Sequence, residues 1–265
     1  MAASSKLFFD SLLTSIILAM DMGKEGLDEK GRGSLGNGSP AAKVPPVRPA
    51  RRHRGLRARF FAWLLAHGSD LEERHYELVR QRVVGGLGGP GRTVVELGPG
   101  AGPNARQLAR GTRWVCVEPN PHVHRHLRAA AEARGHNLEI VGHPAERLPL
   151  PDGSADAVVG TLVLCSVDDV AAVLREARRV LKPGAPFAFI EHVGAAPGSA
   201  RRWWQEALRP AWGLMADGCD PSRDTEAALR AAGFARVDVE RFGLPLGLAR
   251  PHIAGRAWRA DDTEP

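Results

Sequence analysis

Thr93-Val94-Val95-Glu96-Leu97-Gly98-Pro99-Gly100-Ala101-Gly102 is the stretch from which the rest of the chain is read. A β-branched and aliphatic run that ends in an acidic residue and three alternate glycines reads as a buried parallel strand breaking into a tight loop. Glycine suits that loop because, without a Cβ, it takes positive φ and lets a ligand lie against bare backbone. Pro103 fits the first position of a following helix, where its missing N–H costs nothing, so residues 104–110 are expected to start a helix whose amide end faces the ligand.

The loop alone leaves its ligand open. The dinucleotide fingerprint is Gly-x-Gly-x-x-Gly, and its third glycine is replaced here by Pro103, which disfavours a nicotinamide enzyme. Gly98-x-Gly100-x-Gly102 with Glu96 two places upstream fits S-adenosylmethionine better. A plain strand-to-helix turn without a ligand is the third reading.

The chain has 265 residues, 43% hydrophobic and 25% charged, enough for one substantial α/β domain with extensions. Cys116, Cys165 and Cys219 are too few and too scattered for a disulfide framework, and no pair has the spacing of zinc ligands, so a reducing compartment is the simplest setting. The net charge is +6, but Arg48, Arg51, Arg52, Arg54, Arg57 and Arg59 between them carry that whole surplus. The basic character therefore belongs to one arm, which argues against a nucleic-acid groove across the body.

Outward toward the N-terminus, residues 7–20 are apolar but interrupted by Asp10. Such a run reaches roughly 20 Å, short of the roughly 30 Å hydrocarbon core, and no small-residue cleavage site follows it. It reads as a disordered leader or as a degenerate targeting or interfacial segment. Residues 23–49 are rich in Gly, Ser, Pro and Lys and read as a linker, since they hold too little apolar surface to offset ordering entropy. The arm over residues 48–65 joins arginines to Phe60, Phe61, Trp63 and Leu65, the combination for peripheral contact with an anionic membrane or, equally, for a helix packing its aromatics on the domain. Residues 71–87 continue as a helix broken by Gly85-Gly86. The organisation expected is a leader over 1–50, basic-aromatic helices over 51–90 and a catalytic domain over 91–260.

Toward the C-terminus, residues 114–117 form a second strand ending in Glu118-Pro119, and a carboxylate there can accept from both hydroxyls of a ribose. His122, His124 and His126 fall at alternate positions of a helix and cannot clasp one metal. Residues 138–141 are the third strand, after which Ala145 and Glu146 are candidates for the adenine edge. Residues 156–161 are the fourth strand, with Thr161 and Leu162 at its carboxyl end, where the methionine part of the cofactor and the acceptor meet. Cys165 reads as a buried small residue, because no base is recognisably paired with it. Asp168 or Asp169 caps the next helix, which stops at Lys182-Pro183-Gly184. Residues 187–190 are the fifth strand, ending in Glu191-His192, with His192 either in the site or satisfying a core hydrogen bond. Residues 201–215, with Trp203, Trp204, Leu208 and Trp212, are a helix that roofs an apolar pocket or fills core. A helix over 225–232 and strands over 237–242 and 253–258 complete the chain.

These blocks together resemble the class I S-adenosylmethionine-dependent methyltransferases with a type 11 domain, and within them the methyltransferase-like thiol methyltransferases of endoplasmic reticulum and lipid droplet membranes. The resemblance covers residues 60–258. The narrower signals are Thr161-Leu162-Val163-Leu164-Cys165-Ser166-Val167, Glu191-His192-Val193, Asp217-Gly218-Cys219 and Arg250-Pro251-His252-Ile253. It implies a Rossmann-like, seven-stranded doubly wound sheet whose last strand inserts antiparallel. It implies a monomer, cytoplasmic or peripheral on those membranes, and transfer of the sulfonium methyl to a small apolar thiol. A cofactor-binding but inactive scaffold and a methyltransferase for oxygen or nitrogen acceptors stand as alternatives. Glu96, Gly98, Pro99, Gly100, Gly102, Glu118, Pro119, Ala145, Glu146, Thr161 and Leu162 are the expected cofactor residues, and His192 and His252 the bases to test.

Overall fold

The computed structural model describes residues 55–67 and 70–261. The expectations for the leader, the linker and Arg48 to Arg54 lie outside them. Every element named below belongs to the compact unit that starts at Arg48.

The quoted stretch forms β1 (Thr93–Leu97), flanked on one side by β2 (Arg113–Val117) and β3 (Asn137–Val141) and on the other by β4 (Ala157–Thr161) and β5 (Pro186–His192). β6 (Arg236–Gly243) and β7 (Pro251–Trp258) close the sheet in the order β3-β2-β1-β4-β5-β7-β6. β1 to β5 pair in parallel, and β7 inserts antiparallel between β5 and β6. Strand order reverses between β1 and β4, so the loops after β1, β2, β4 and β5 all open at one edge, where such sheets bind ligands.

The two-residue period of each strand divides it between two layers. Val95, Leu97, Val115, Val117, Val158, Phe187 and Phe189 face one layer, against Val173, Leu174 and Val180 of α4 (Val170–Val180) and Leu229 of α6 (Thr225–Ala231). Val94, Trp114, Cys116, Val159, Ala188 and Ile190 face the other, against Tyr76, Val79 and Val83 of α2 (Asp70–Val84) and Leu127 and Ala131 of α3 (His124–Arg134). With both faces covered, the central strands carry continuous apolar runs instead of an alternating pattern.

Local chemistry sets the element ends. Asp169, the second of the two expected caps, accepts from the Ala172 amide at the start of α4. Gly135 ends α3 in the left-handed conformation. α1 (Gly55–His67) precedes α2, and α5 (Ala200–Met215) starts at the Ser199 cap. Among the described residues no helix is long and apolar enough to cross a membrane.

The helix expected over residues 104–110 is one short 3-10 turn, Pro103–Arg106. Its successor Ala109 leaves the helical path to bridge Gly88, with its amide donating to the Leu87 carbonyl at 3.0 Å. That extended pairing takes the backbone groups a longer helix needs, so no helix dipole is aimed at the loop.

Gly102 opens this turn at φ +85°, and a Cβ on it would lie 3.1 to 3.2 Å from Trp114, Ala130 and Leu127. Positive φ and tight packing act together at this position. Gly102→Ala is expected to lower unfolding stability by about 2 kcal/mol or more, read as a fall in the denaturation midpoint. An unchanged midpoint refutes the close packing of Gly102 against Trp114 and Leu127.

Candidate active site

Three buried carboxylates organise the open edge, and each closes a different loop. Glu96, at the end of β1, is fully buried, with Oε1 accepting from Asn104 Nδ2 at 2.8 Å and Oε2 from Trp114 Nε1 at 2.7 Å. Asn104 Nδ2 also donates to Thr161 Oγ1 at 3.0 Å, which ties the loop after β1 to the end of β4. Glu118 Oε2 accepts from the Gly100 amide at 3.2 Å and Oε1 from the Asn120 amide at 2.8 Å. Glu191 takes the Val163 and Leu164 amides at 2.9 Å on one oxygen and the Cys165 amide at 3.3 Å on the other.

Burial is the main influence on all three. It pushes both Glu96 and Glu118 up to about 7, against the hydrogen bonds that favour their ionised forms. Asp217, in the loop after α5, lies close enough for its charge to add to the rise at Glu118.

This geometry corrects several expectations. Glu96 was expected to touch the cofactor, but it is fully buried, with its two oxygens accepting from Asn104 and Trp114, so it positions the loop. The glycines were expected to offer bare backbone to a ligand. Their φ values of +55°, +56° and +85° do require glycine, and a Cβ at these positions would point at Val163 from Gly98, at Leu65 of α1 from Gly100 and at Trp114 from Gly102. α1 lies across this edge, because the Ala58 carbonyl also accepts from Asn120 Nδ2 at 3.1 Å. His252 was expected as a base. Its Nε2 pairs with the Tyr76 hydroxyl at 2.6 Å and its Nδ1 with the Arg250 carbonyl at 3.0 Å, and burial pulls it down to about 4. A ring with both nitrogens committed has no lone pair for an acceptor, so His252 ties β7 to α2.

The remaining expected residues share the same edge. Pro99 is buried between Gly98 and Gly100, and Pro119 is half-buried after Glu118. Ala145 packs its methyl into the core, and Glu146 Oε1 accepts from the Asp168 amide at 3.0 Å. Leu162 follows Thr161 with φ +55°, a left-handed conformation that a branched side chain rarely takes and that turns the chain sharply over the end of β4.

That turn delivers Cys165 to a place that spacing along the chain did not reveal. Cys165 is buried as expected, but His192 of β5 and Cys219 of the loop after α5 join it, with one ligand-capable atom from each residue within 4.8 Å of the others. His192 Nε2 lies 2.9 Å from Cys219 Sγ, and Trp212 of α5 donates its indole N–H to the same sulfur at 3.2 Å. His192 Nδ1 is buried without a hydrogen-bond partner. The only hint in the sequence is that each of three short blocks, 161–167, 191–193 and 217–219, carries one member. α5 otherwise turns Trp203, Trp204, Leu208 and Leu214 outward, so it is neither core nor a closed roof. His124 sits apart, with Nε2 at 2.9 Å from the Glu118 carbonyl.

The edge fits a nucleoside joined to an amino acid. Glu118 offers an anionic acceptor beside the glycine loop. Asn104 Oδ1 after β1 and His143 Nε2 after β3 are buried with no hydrogen-bond partner, which leaves polar atoms for a ligand to satisfy after both strands.

Comparison with known proteins agrees with this geometry. Residues 95–189 match the family model described as a methyltransferase domain. The human thiol S-methyltransferase TMT1A is 40% identical over 62% of this chain and 70% of its own length. Human thiol S-methyltransferase TMT1B is 38% identical over 75% of this chain and 85% of its own. A solved structure of geranyl diphosphate C-methyltransferase from Streptomyces coelicolor, in complex with S-adenosyl-L-homocysteine among other ligands, superposes with a TM-score of 0.55. It is 15% identical over 72% of this chain and 77% of that one, a likeness of fold. A seven-stranded sheet in this order, a Glu-x-Gly-x-Gly-x-Gly loop and relatives of this identity place the chain in the thiol S-methyltransferase family of class I methyltransferases, with S-adenosylmethionine as its cofactor.

Proposed function

We propose that the protein moves the methyl group of S-adenosylmethionine to the sulfur of a small apolar thiol. The observation that carries the reading is the Cys165, His192 and Cys219 cluster at the carboxyl ends of β4 and β5, on the same edge as Glu118. Asp217, two residues before Cys219, is near enough to act on Glu118, so one loop borders both halves of the site. The names of the human relatives support sulfur as the acceptor atom.

The cofactor supplies a methyl group activated by its sulfonium. Glu118 accepts from the ribose hydroxyls, the loop over residues 98–102 follows the methionine part, and Ala145 and Glu146 with His143 border the base. Thr161 and Leu162 set the floor between donor and acceptor. The chain's remaining tasks are to align the acceptor sulfur, exclude water and release the acceptor's proton. His192, beside Cys165 and Cys219, is the ring at the acceptor end that can take part in that release, since His252 is committed elsewhere.

Glu118→Ala is expected to weaken S-adenosylmethionine binding about tenfold or more, the loss of hydrogen bonds to a charged group, measured by calorimetry on the folded variant. Unchanged affinity removes Glu118 from the ribose. The pH dependence follows from its raised position near 7. The accepting carboxylate is present above that pH and protonated below it, so affinity rises from about pH 6 to about pH 8 with proton release on binding. Glu118→Gln is expected to flatten that rise.

Incubation with labelled S-adenosylmethionine and a panel of short alkyl thiols, phenols, amines and carboxylic acids tests the acceptor. Methylated thioether together with S-adenosylhomocysteine is the expected product. Binding without turnover identifies an inactive scaffold, and transfer only to oxygen or nitrogen overturns the thiol reading.

We infer also that the arm over residues 48–65 makes peripheral contact with membranes carrying negative charge. Leu56 of α1 is 82% exposed and Leu65 42% exposed, beside the exposed Arg59. Co-sedimentation with vesicles containing anionic lipid is expected to fall as salt rises and to fail when Arg51, Arg52 and Arg54 are changed to Glu. Equal binding to neutral vesicles sinks this placement.

A further inference from the structure

We propose that Cys165, His192 and Cys219 hold one zinc ion and leave its fourth position open to the acceptor thiolate. The assignment of the fourth position rests on the thiol-transfer reading, whereas the metal itself does not.

Two thiols and one imidazole form the donor set that selects a tetrahedral, borderline-soft divalent ion, and three protein ligands with one open position are the pattern of catalytic zinc. The three donor atoms already lie within 4.8 Å of one another, on three separate segments: the loop after β4, the end of β5 and the loop after α5. With Zn–S near 2.3 Å and Zn–N near 2.0 Å, tetrahedral donors stand about 3.5 Å apart. The observed 2.9 Å between His192 Nε2 and Cys219 Sγ therefore needs to open by only about half an ångström to admit the ion.

Four surrounding features favour a ligand set over ordinary core. All three residues are buried, at 2% exposure for Cys165, 6% for His192 and 7% for Cys219, which keeps bulk water from competing for a ligand position. His192 Nδ1 is buried with no hydrogen-bond partner, so no bond to the protein fixes the ring's tautomer against Nε2 presenting its lone pair. The Trp212 indole N–H, directed at Cys219 Sγ, is the kind of donor that stabilises a ligating thiolate. The Cys165 backbone is fixed from behind, its amide held by Glu191 and the chain turned by Leu162 at φ +55°, so the sulfur is positioned before any ion arrives.

The chemistry this adds is limited and balanced. Cys165 and Cys219 give up their protons to solvent when the ion binds. The S–H bond of the acceptor then breaks, its proton also passes to solvent, and the thiolate sulfur donates a lone pair into the fourth position. His192 is then a ligand and not a base. The acceptor sulfur then forms its bond to the methyl carbon as the sulfonium carbon–sulfur bond breaks and S-adenosylhomocysteine departs, and the neutral thioether, a poorer donor than a thiolate, leaves the ion for the next acceptor.

The full chain, purified without chelator from zinc-supplemented medium, is expected to carry about one zinc per molecule by mass spectrometry of the metals, falling severalfold in Cys165→Ser, Cys219→Ser and His192→Gln. S-adenosylmethionine binding, measured in parallel by calorimetry, reports that these variants are folded. Cobalt replacement in the unaltered protein gives a test that needs no variant. Thiolate-to-cobalt charge-transfer absorption is expected, with a shift of the visible bands on adding propanethiol. Trp212→Phe is expected to weaken zinc by about tenfold in competition with a chelating dye.

Metal-free protein that shows no charge-transfer band with cobalt, or a Cys165–Cys219 disulfide found by peptide mass, overturns the proposal. So does full thiol methylation after the ion has been removed by chelator. Bound metal with bands unmoved by propanethiol, in a protein that methylates another acceptor, keeps the ion but overturns both the fourth-position assignment and the thiol reading.

Discussion

The structure depends on a problem that every parallel sheet has at its carboxyl edge. Strands that end side by side turn into loops whose amides are buried and no longer paired along the sheet, and those groups must find acceptors. In this protein buried carboxylates supply them. Glu118 takes the Gly100 and Asn120 amides, Glu191 takes three consecutive amides after β4, and Glu96 acts through the Asn104 and Trp114 side chains. Keeping acidic groups in a poorly solvated place is costly, and their raised pKa values express that cost. In return the loops are fixed where ligands are handled.

This arrangement separates residues that make the edge from residues that can use it. Glu96 and His252 are enclosed by the protein with a partner on every side-chain polar atom, so they hold neighbouring segments in register. Glu118 also accepts one bond on each oxygen but is not fully enclosed, and His192 keeps an unpartnered ring nitrogen. Ionisable type alone does not distinguish the two groups. Enclosure and unpartnered atoms together do.

Much of the fold was legible in the chain. The apolar runs at Val94 to Leu97, Trp114 to Val117 and Phe187 to Ile190 mark strands covered on both faces, and Asp169, Gly135 and Pro183-Gly184 mark helix ends through local steric and capping preferences. The reading failed after Pro103, where helix-compatible residues were drawn into a bridge with Gly88. A tertiary pairing outweighed a weak local preference, and no local pattern announces such a partner. The outward face of α5 was equally hidden, because Trp203 and Trp204 look like core in a hydrophobicity count and are half exposed in the structure.

The sequence by itself determined the sheet, the glycine loop and the acidic residue after β2, since each rests on backbone geometry and short-range spacing. The tertiary structure alone decided which side chains meet. It turned Glu96 and His252 inward to brace the frame, and it brought Cys165, His192 and Cys219 together from three distant segments. The physical reason is that ligand and catalytic groupings are made by loops converging at a strand edge, and that convergence is fixed by strand order and packing, which leave no periodic trace along the chain.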